Sequence, residues 1–246
     1  MYGYIYDTFL GNPNYQKELI KIENSLTDLE LRGQTIKLSL MNSVGHSIRD
    51  LLQRGVKTII AVGSDQLFSR IIDDADILEG VTLGIIPLGS HQRLAYLFGV
   101  PSGEQACQVI AARLIQKVSL GKINNAYFID SVMIDDPRVQ IGCDNLFLAS
   151  ATTKHSRTSI HNLVPEKVAE NEKSCLAVRI QPELPKKIFR KQEELPPTIL
   201  KSQFVNIEYP QNIHMIVDGQ KVIKTPAKLQ VAQKTINVIM GKERKI

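Results

Sequence analysis

The feature that most constrains the fold is an apolar run from Val56 to Val62, which leads directly into the loop Gly63-Ser64-Asp65. The run contains a single charge and is rich in β-branched residues, a composition typical of a strand buried on both faces of a parallel sheet. Apolar residues at helical spacing, Leu67, Phe68 and Ile71, follow the loop. The chain therefore switches from a buried strand to a helix, which predicts an α/β fold.

The same strand-to-helix pattern occurs elsewhere in the first half of the chain. A second apolar run, Val81 to Ile86, ends at Pro87-Leu88-Gly89, and a helical segment from Gln92 to Phe98 follows it. Parallel strands need crossover helices, so the repetition predicts a doubly wound parallel sheet in the N-terminal half. The other predicted elements of this half are strands at 4–6 and 34–40 and helices at 14–31, 44–54 and 104–115.

From about Lys122 the sequence changes to short, alternating or β-branched runs separated by Asn, Asp, Gly or Pro. This pattern is typical of an all-β structure, and Asp218-Gly219 predicts a tight hairpin turn. Strands are predicted at 127–134, 145–149, 175–180, 199–207, 212–217, 221–223 and 235–240. We therefore predict an α/β domain at 1–122 and a smaller β-rich domain at 123–246.

The composition supports folded domains and excludes several classes of protein. The 246 residues are 43% hydrophobic and 22% charged, which excludes a disordered or collagen-like chain. No apolar stretch approaches the roughly 18 to 20 residues that span a bilayer, and the N-terminus lacks a basic and apolar leader, so we expect a soluble cytoplasmic protein. Cys107, Cys143 and Cys175 are too far apart in sequence for a metal clip and are predicted to be buried free thiols.

The net charge of +5 comes from the second half of the chain. Residues 1–122 carry 12 Lys+Arg and 12 Asp+Glu, whereas residues 123–246 carry 18 and 13. The basic residues are densest at Lys186, Lys187, Arg190, Lys191 and Lys201. This stretch predicts either a solvated loop or contact with an anionic membrane surface. No helix-turn-helix, finger or RNA-binding pattern accompanies it, so we predict no nucleic-acid partner.

Loops at the carboxyl ends of central parallel strands are natural binding places for anions, because backbone N–H groups and the dipole of the next helix point toward them. Gly63-Ser64-Asp65-Gln66 and Leu88-Gly89-Ser90-His91 occupy such positions. The alternative is that both are ordinary turns, in which Ser64 or Asp65 and Ser90 cap the next helix. Neither a Walker motif nor a GxGxxG motif is present to decide between these two interpretations.

Three segments together resemble the diacylglycerol kinase catalytic-domain family, which is similar in fold to NAD kinase. They are residues 55–68, residues 84–95 with Pro87-Leu88-Gly89-Ser90, and Phe98-Gly99-Val100-Pro101. Val217-Asp218-Gly219-Gln220 is similar to the family's Asp-Gly-Glu. The resemblance covers residues 38–122 well. It implies a nucleotide-binding α/β domain followed by a β-sandwich substrate domain, with ATP and a lipid meeting in the cleft between them.

The resemblance also implies which residues form the site. The nucleotide phosphates would contact Gly63, Ser64, Asp65, Gln66 and Leu67, and further nucleotide contacts would come from Ser39, Gly89 and Ser90. Mg²⁺ would be bound by Asp65 and Asp218, and the catalytic positions would be those of Asp65, Asp218 and Gln220. The implied partners are a nucleotide and a lipid or other hydroxyl substrate. A homodimer is a separate expectation that does not follow from the resemblance.

Several positions depart from the family pattern. Ser64 and Gln66 stand where the family has glycine, and Leu67 replaces a threonine. Asp7-Thr8-Phe9 replaces an Asn-Pro-x-Ser-Gly loop, and Gln220 replaces the glutamate that acts as a base. An amide cannot accept a proton from a hydroxyl group, and general-base assistance is commonly worth about 100- to 10,000-fold. Two functions therefore stay open: an ATP-dependent lipid kinase of lowered activity, and a non-catalytic nucleotide or lipid sensor. A third, phosphorylation of NAD, is suggested by the shared fold alone and is less favoured.

Overall fold

The computed structural model describes residues 1–39, 42–151, 153, 155–164, 175–182 and 195–246. Within these residues the chain divides into two units. The first unit contains Met1–Val118 and Lys234–Ile246, and the second contains the described residues from Ser119 to Gln233. That the two stretches 1–122 and 123–246 are a nucleotide-binding and a substrate domain stays a prediction.

The first unit is built on a parallel sheet. Its strands are β1 (Tyr2–Tyr6), β2 (Gly33–Lys37), β3 (Thr58–Gly63) and β4 (Thr82–Pro87), in the order β2-β1-β3-β4. All residues of β3 and β4 are buried, as expected of central strands without polar faces. A later strand runs beside β4, because Asn237 and Val238 pair in parallel with Thr82 and Leu83.

Helices cover both faces of this sheet: α1 (Gln16–Asp28), α2 (Val44–Gln53), α3 (Asp65–Ile72), α4 (Arg93–Phe98) and α5 (Ala106–Ala112). A Cβ atom at Gly3 would lie 2.9 Å from Leu51 of α2, and one at Gly84 would lie 2.9 Å from Ile110 of α5. These glycines pair with two successive residues of β3, which point to opposite faces of the sheet. The doubly wound arrangement predicted from the sequence is therefore confirmed.

Two predicted helices of the first unit were too long. The predicted helix at 14–31 is a 3₁₀ turn, Pro13–Tyr15, followed by α1. The predicted helix at 104–115 is a 3₁₀ turn, Gly103–Gln105, followed by α5, which ends where Arg113 adopts a positive φ of 51°. Ile115 already belongs to the next strand, β5 (Ile115–Ile123). Apolar periodicity does not mark this end, because the residues after it are apolar as well.

The second unit is an antiparallel β-sandwich. The strands that follow β5 are β6 (Ala126–Phe128), β7 (Ser131–Ile134), β8 (Gln140–Cys143), β9 (Phe147–Ser150), β10 (Ser156–His161), β11 (Leu176–Pro182), β12 (Thr198–Ser202), β13 (Phe204–Tyr209), β14 (His214–Val217), β15 (Lys221–Lys224) and β16 (Ala227–Ile239). One layer has the order β12-β11-β10-β7-β14-β15, and the other contains β9, β8, β13 and the first part of β16. Fully buried side chains of both layers form the core, among them Val132, Val178, Met215, Ile141, Val205 and Leu229.

Several strands of this unit differ from their predicted bounds. The predicted strands at 127–134 and 199–207 are each divided in two, by turns after Phe128 and Ser202. β8 and β10 were not predicted from the sequence. β10 contains the buried polar residues Ser156, Thr158 and Ser159, so it shows no apolar alternation.

Two expectations made for the whole chain can be compared with the described residues. Cys107 and Cys143 are buried free thiols, whereas Cys175 is only half-buried because it precedes β11. In the part of the chain that the structure describes, no helix combines the length and the apolar character needed to cross a membrane.

Candidate functional site

The predicted nucleotide-contacting residues meet at one edge of the parallel sheet. Ser39 follows β2, the Gly63 loop (Gly63–Gln66) follows β3, and the Gly89 loop (Leu88–Gln92) follows β4. Because the strands are parallel and in register, their carboxyl ends lie at the same edge. Leu88 N–H also donates to Gly63 O at 2.9 Å, which places the starts of the two loops side by side.

Ser64 is tied to Asp7, the residue that follows β1. The Ser64 hydroxyl donates to Asp7 Oδ2 at 2.7 Å and accepts a bond from Leu67 N–H at 3.4 Å. The second contact makes Ser64 the N-cap of α3, which confirms that part of the capping alternative. Asp7 is 9% exposed, and its Oδ1 accepts a bond from Thr8 N–H at 2.8 Å. The loop therefore has a nearly buried carboxylate at its base.

Gly63 allows Asp7 to lie this close to the loop. The glycine has a φ of +144°, and a Cβ atom placed on it would lie 2.6 Å from Asp7 Cβ. Real Cβ atoms do not approach a neighbour this closely, so both the backbone angle and the space require glycine here. The requirement for glycine at this position therefore does not depend on a ligand.

Asp65 links the two loops. Its N–H donates to His91 O at 3.4 Å, and its Oδ2 accepts a bond from Leu94 N–H at 2.8 Å. Leu94 is the second residue of α4, so the Asp65 side chain caps a helix other than its own. The prediction that Ser90 caps this helix is wrong. His91 has a positive φ of 64°, which turns the chain so that Gln92 occupies the cap position and Ser90 Oγ instead contacts His91 Nδ1 at 3.1 Å.

Replacing Asp65 by alanine is expected to lower the free energy of unfolding by about 1 kcal/mol, the usual effect of losing a helix cap. Leu94 N–H would lose its acceptor, whereas Asp65→Asn keeps a side-chain oxygen and should lose less. Amide hydrogen exchange at Leu94 checks the contact directly and should be faster in the alanine variant. Equal exchange rates in the parent and both variants would contradict a capping role.

The Gly89 loop is fixed by side chains on both sides. Gln92 Nε2 donates to Gly89 O at 2.9 Å and to Ser102 Oγ at 3.1 Å. Gly89 has a φ of +80°, and a Cβ atom on it would lie 3.0 Å from the Phe9 ring. Phe9 therefore packs directly on the loop. In the sequence, Asp7 and Phe9 stand out only as part of a replaced family motif. Their position directly after the first strand was the signal that could have identified them.

The other predicted phosphate-loop residues differ in what they can offer. Leu67 is 0% exposed, so its side chain belongs to the core and only its backbone lies near the loop. Gln66 and Ser39 are exposed. In the described residues, no group of three or more His, Cys, Asp or Glu side chains could hold a metal ion. A metal at this edge would therefore need ligands from the nucleotide or from water as well.

In the second unit the structure brings Asp218 and Gln220 together in one turn. Asp218 and Gly219 have φ angles of 48° and 71°, and Gln220 N–H donates to Val217 O at 3.1 Å. These angles are those of the tight Asp-Gly hairpin turn, which joins β14 and β15 as predicted. The turn that holds Asp218 and Gln220 therefore has a fixed backbone.

The Asp218 carboxylate is surrounded by backbone donors from the turn before β7. Its Oδ1 accepts bonds from Asp130 N–H and Ser131 N–H, and its Oδ2 accepts one from Ile129 N–H, each at 2.9 Å. Asp218 N–H donates back to Ser131 O at 2.8 Å. Burial nevertheless raises the pKa of Asp218 to about 6, and the negative charge of Asp130 contributes to the increase.

The predicted membrane-contacting stretch is only partly within the described residues. Lys186, Lys187, Arg190 and Lys191 lie outside them, whereas Lys201 is an exposed residue of β12. Membrane contact and a homodimer stay predictions.

The part of the sequence that holds both loops is similar to a known family. Residues 3–123 match the family model for the diacylglycerol kinase catalytic domain. A diacylglycerol kinase of Bacillus subtilis (strain 168) is 22% identical over 129 residues, which are 51% of this chain and 43% of that relative. The chain thus spans less than half the length of this curated relative. The family resemblance predicted from the two loop motifs is confirmed.

Solved structures share the fold over nearly the whole chain. A putative diacylglycerol kinase from Bacillus anthracis str. Sterne has a TM-score of 0.78 at 16% identity, covering 99% of this chain and 98% of that one. An NAD kinase from Archaeoglobus fulgidus, solved in complex with ATP, has a TM-score of 0.54 at 12% identity, covering 100% and 96%. At these identities the similarity establishes the fold alone.

Proposed function

We propose that this diacylglycerol kinase-like chain transfers the γ-phosphoryl group of ATP to a hydroxyl group of a lipid. One observation carries the proposal: two loops that follow adjacent parallel strands are joined through Asp65 at the carboxyl edge of the sheet. Anionic ligands bind at such edges because backbone N–H groups and helix N-termini point there. The family match covers this segment, which supports a nucleotide as the ligand.

The carboxylate of Asp65 is the group that would contact Mg²⁺ at this edge of the sheet. Carboxylate oxygens are ligands that Mg²⁺ prefers, usually one or two of them together with phosphate oxygens and water. The bound ion would neutralise charge on the transferred phosphoryl group. Asp65 Oδ2 already accepts the bond that caps α4, so Asp65 Oδ1 would be the oxygen that contacts the ion.

Gln220 does not supply a base, because an amide does not accept a proton from a hydroxyl group at neutral pH. Phosphoryl transfer depends mainly on positioning and on electrostatic stabilisation, so losing this one group slows the reaction without abolishing it. We expect a turnover about 100- to 10,000-fold lower than with a carboxylate base, unless another residue accepts the proton.

The direct test uses purified protein, Mg²⁺ and ATP labelled in the γ-phosphate, with detergent micelles that contain one lipid class at a time. Diacylglycerol, ceramide and monoacylglycerol present different hydroxyl groups, and the labelled lipid product is extracted and counted. We expect label in at least one lipid. A rise in unfolding temperature with Mg-ATP but no product in any class would overturn the kinase proposal in favour of a nucleotide sensor.

Replacing Asp65 by asparagine separates its metal role from its capping role. The amide keeps an oxygen for Leu94 N–H, so folding should be close to that of the parent. Mg²⁺ loses a charged ligand, so we expect at least a tenfold lower turnover, with the loss reduced at high Mg²⁺ concentration. Turnover equal to that of the parent at every Mg²⁺ concentration would show that Asp65 acts only as a cap.

A further inference from the structure

The carboxylate of Asp7 lies at the base of the Gly63 loop and is held there by neutral donors. Asp7 is 9% exposed, and its N–H donates to Val62 O at 3.0 Å, so its backbone is joined to the end of β3. Its side-chain oxygens accept bonds from Thr8 N–H at 2.8 Å, from the Thr8 hydroxyl at 3.4 Å and from the Ser64 hydroxyl at 2.7 Å. No ion pair found among the described residues includes Asp7. The loop therefore has a fixed negative charge beneath it.

The loop also uses several of its own hydrogen-bond donors within the protein. Asp65 N–H donates to His91 O at 3.4 Å, and Leu67 N–H donates to Ser64 O at 3.1 Å and to Ser64 Oγ at 3.4 Å. The Ser64 hydroxyl gives its one hydrogen to Asp7. These three donors are directed at protein oxygens, so they do little to offset the charge of Asp7 for a ligand at the loop.

The charge of Asp7 acts on a phosphate ligand in proportion to the charge of that ligand. The energy between two charges scales with their product, and a nearly buried charge is screened less by salt than an exposed one. A bound Mg²⁺ cancels about half of the negative charge of ATP, so the repulsion from Asp7 is about twice as large for metal-free ATP as for Mg-ATP. Asp7 therefore affects the two forms of the nucleotide unequally.

We propose that Asp7 is a specificity-determining residue of the Gly63 loop, and that its charge makes the loop discriminate against nucleotides of high negative charge. The inference rests on the proposed kinase function, because that function places the nucleotide phosphates at this loop. Asp7 takes no part in the transfer step itself. It belongs to the segment Asp7-Thr8-Phe9, which departs from the family pattern, so the discrimination is a property of this chain.

The test measures dissociation constants by isothermal titration calorimetry, without lipid, for ATP in EDTA and for Mg-ATP. The variant is Asp7→Asn, whose amide has the shape of the carboxylate: its oxygen can accept from Thr8 N–H and its NH₂ group can donate to Ser64 Oγ. We expect the Kd of metal-free ATP to fall about tenfold or more and that of Mg-ATP about threefold, since halving the ligand charge takes the square root of the fold-change.

Asp28→Asn is the matched control, because it removes the same charge from a different place in the first unit. Asp28 is the exposed last residue of α1, shortly before β2 begins, and so lies near the opposite edge of the sheet from the loops. Both dissociation constants should stay within about twofold of the parent, since exposed charges at such a distance are screened.

The ratio of the two affinities is the decisive quantity, since a purely structural role of Asp7 would change both ligands equally. Equal fold-changes for both ligands in Asp7→Asn would overturn the inference, and so would the same change of the ratio in Asp28→Asn. If Asp7→Asn does not fold, the parent still tests the idea: similar affinities for metal-free ATP and Mg-ATP would overturn it.

The outcome is separable from that of the kinase proposal, because binding is measured without turnover. Labelled lipid product from a parent that shows no discrimination would overturn this inference and keep the kinase proposal. Discrimination that Asp7→Asn removes, without lipid product from any protein, would keep the inference for a nucleotide sensor. No binding of either form of ATP by the parent or by Asp7→Asn would overturn both.

Discussion

Replacing Gly63 by alanine is expected to destabilise the first unit by about 3 kcal/mol, through two effects that each cost about 1 to 3 kcal/mol. The new Cβ atom would lie 2.6 Å from Asp7 Cβ, so the strand ends must separate. The backbone would also hold an L-residue at a φ of +144°, an angle that such residues rarely adopt. We expect the thermal unfolding midpoint to fall by about 10 °C or more.

Gly11→Ala is the control for this prediction. Gly11 lies in the turn after β1, has no atom within 4 Å of a Cβ placed on it, and does not have a left-handed φ. Its unfolding midpoint should stay within about 2 °C of the parent. The double variant Gly63→Ala with Asp7→Gly removes the Cβ–Cβ clash but keeps the backbone strain, so it should recover part of the loss. A single Gly63→Ala variant as stable as the parent would contradict the close contact.

The second large effect is expected for Asp218→Ala. The three backbone N–H groups of Ile129, Asp130 and Ser131 would lose their acceptor in a half-buried turn. Leaving a buried donor unsatisfied costs about 1 to 3 kcal/mol, so we expect a loss of about 3 kcal/mol or more. Faster amide exchange at Ile129 and Ser131 should accompany the loss. Unchanged exchange at these two residues would contradict the role of Asp218 as their acceptor.

The pH dependence of stability provides an independent measurement on the same residue. Folding raises the pKa of Asp218 from about 3.9 in an unfolded chain to about 6. The folded state therefore binds this proton more tightly, and the resulting stability is fully present below about pH 4 and lost as the pH rises to about 6. Asp218→Asn has no proton to bind. The stability of the parent minus that of Asp218→Asn should therefore fall between about pH 4 and 6 and stay constant above. A difference that is constant throughout would contradict the raised pKa.

Much of the first unit was predictable from the sequence because its central strands have no polar face. β3 and β4 are apolar runs, and burial on both sides of a parallel sheet requires such runs. The Ser64 cap was predictable for a similar reason, since a serine between a strand and a helical pattern contacts backbone only three residues away. Both signals are local in the sequence.

The failed predictions concern contacts between residues far apart in sequence. Asp65 caps α4, a helix that begins at Arg93, 28 residues later in the chain. The side chain of Ser90, which was expected to cap this helix, does not do so. β10 was not predicted because its polar residues Ser156, Thr158 and Ser159 are buried, so the strand shows no apolar alternation. Local pattern cannot show which of these polar groups will be satisfied, because their partners belong to other elements.

The Asp-Gly turn of the second unit shows the same division. Asp218-Gly219 predicted the hairpin turn correctly, since those two residues tolerate the positive φ angles that the turn requires. The partner of Asp218, the turn at Ile129–Ser131, is almost 90 residues earlier in the chain and has no sequence signature of its own. The contact between Asp130 and Asp218 is therefore visible only in the fold.

The parallel sheet, the two strand-end loops and the tight Asp-Gly turn are predictable from the chain alone, because each depends on residues that are neighbours in sequence. The folded structure alone shows that Asp7 and Phe9 pack against those loops, that Lys234–Ile246 belongs to the first unit, and that Asp130 contacts Asp218. Burial and hydrogen-bond satisfaction are properties of the folded chain, so contacts between distant segments leave no local pattern in the sequence.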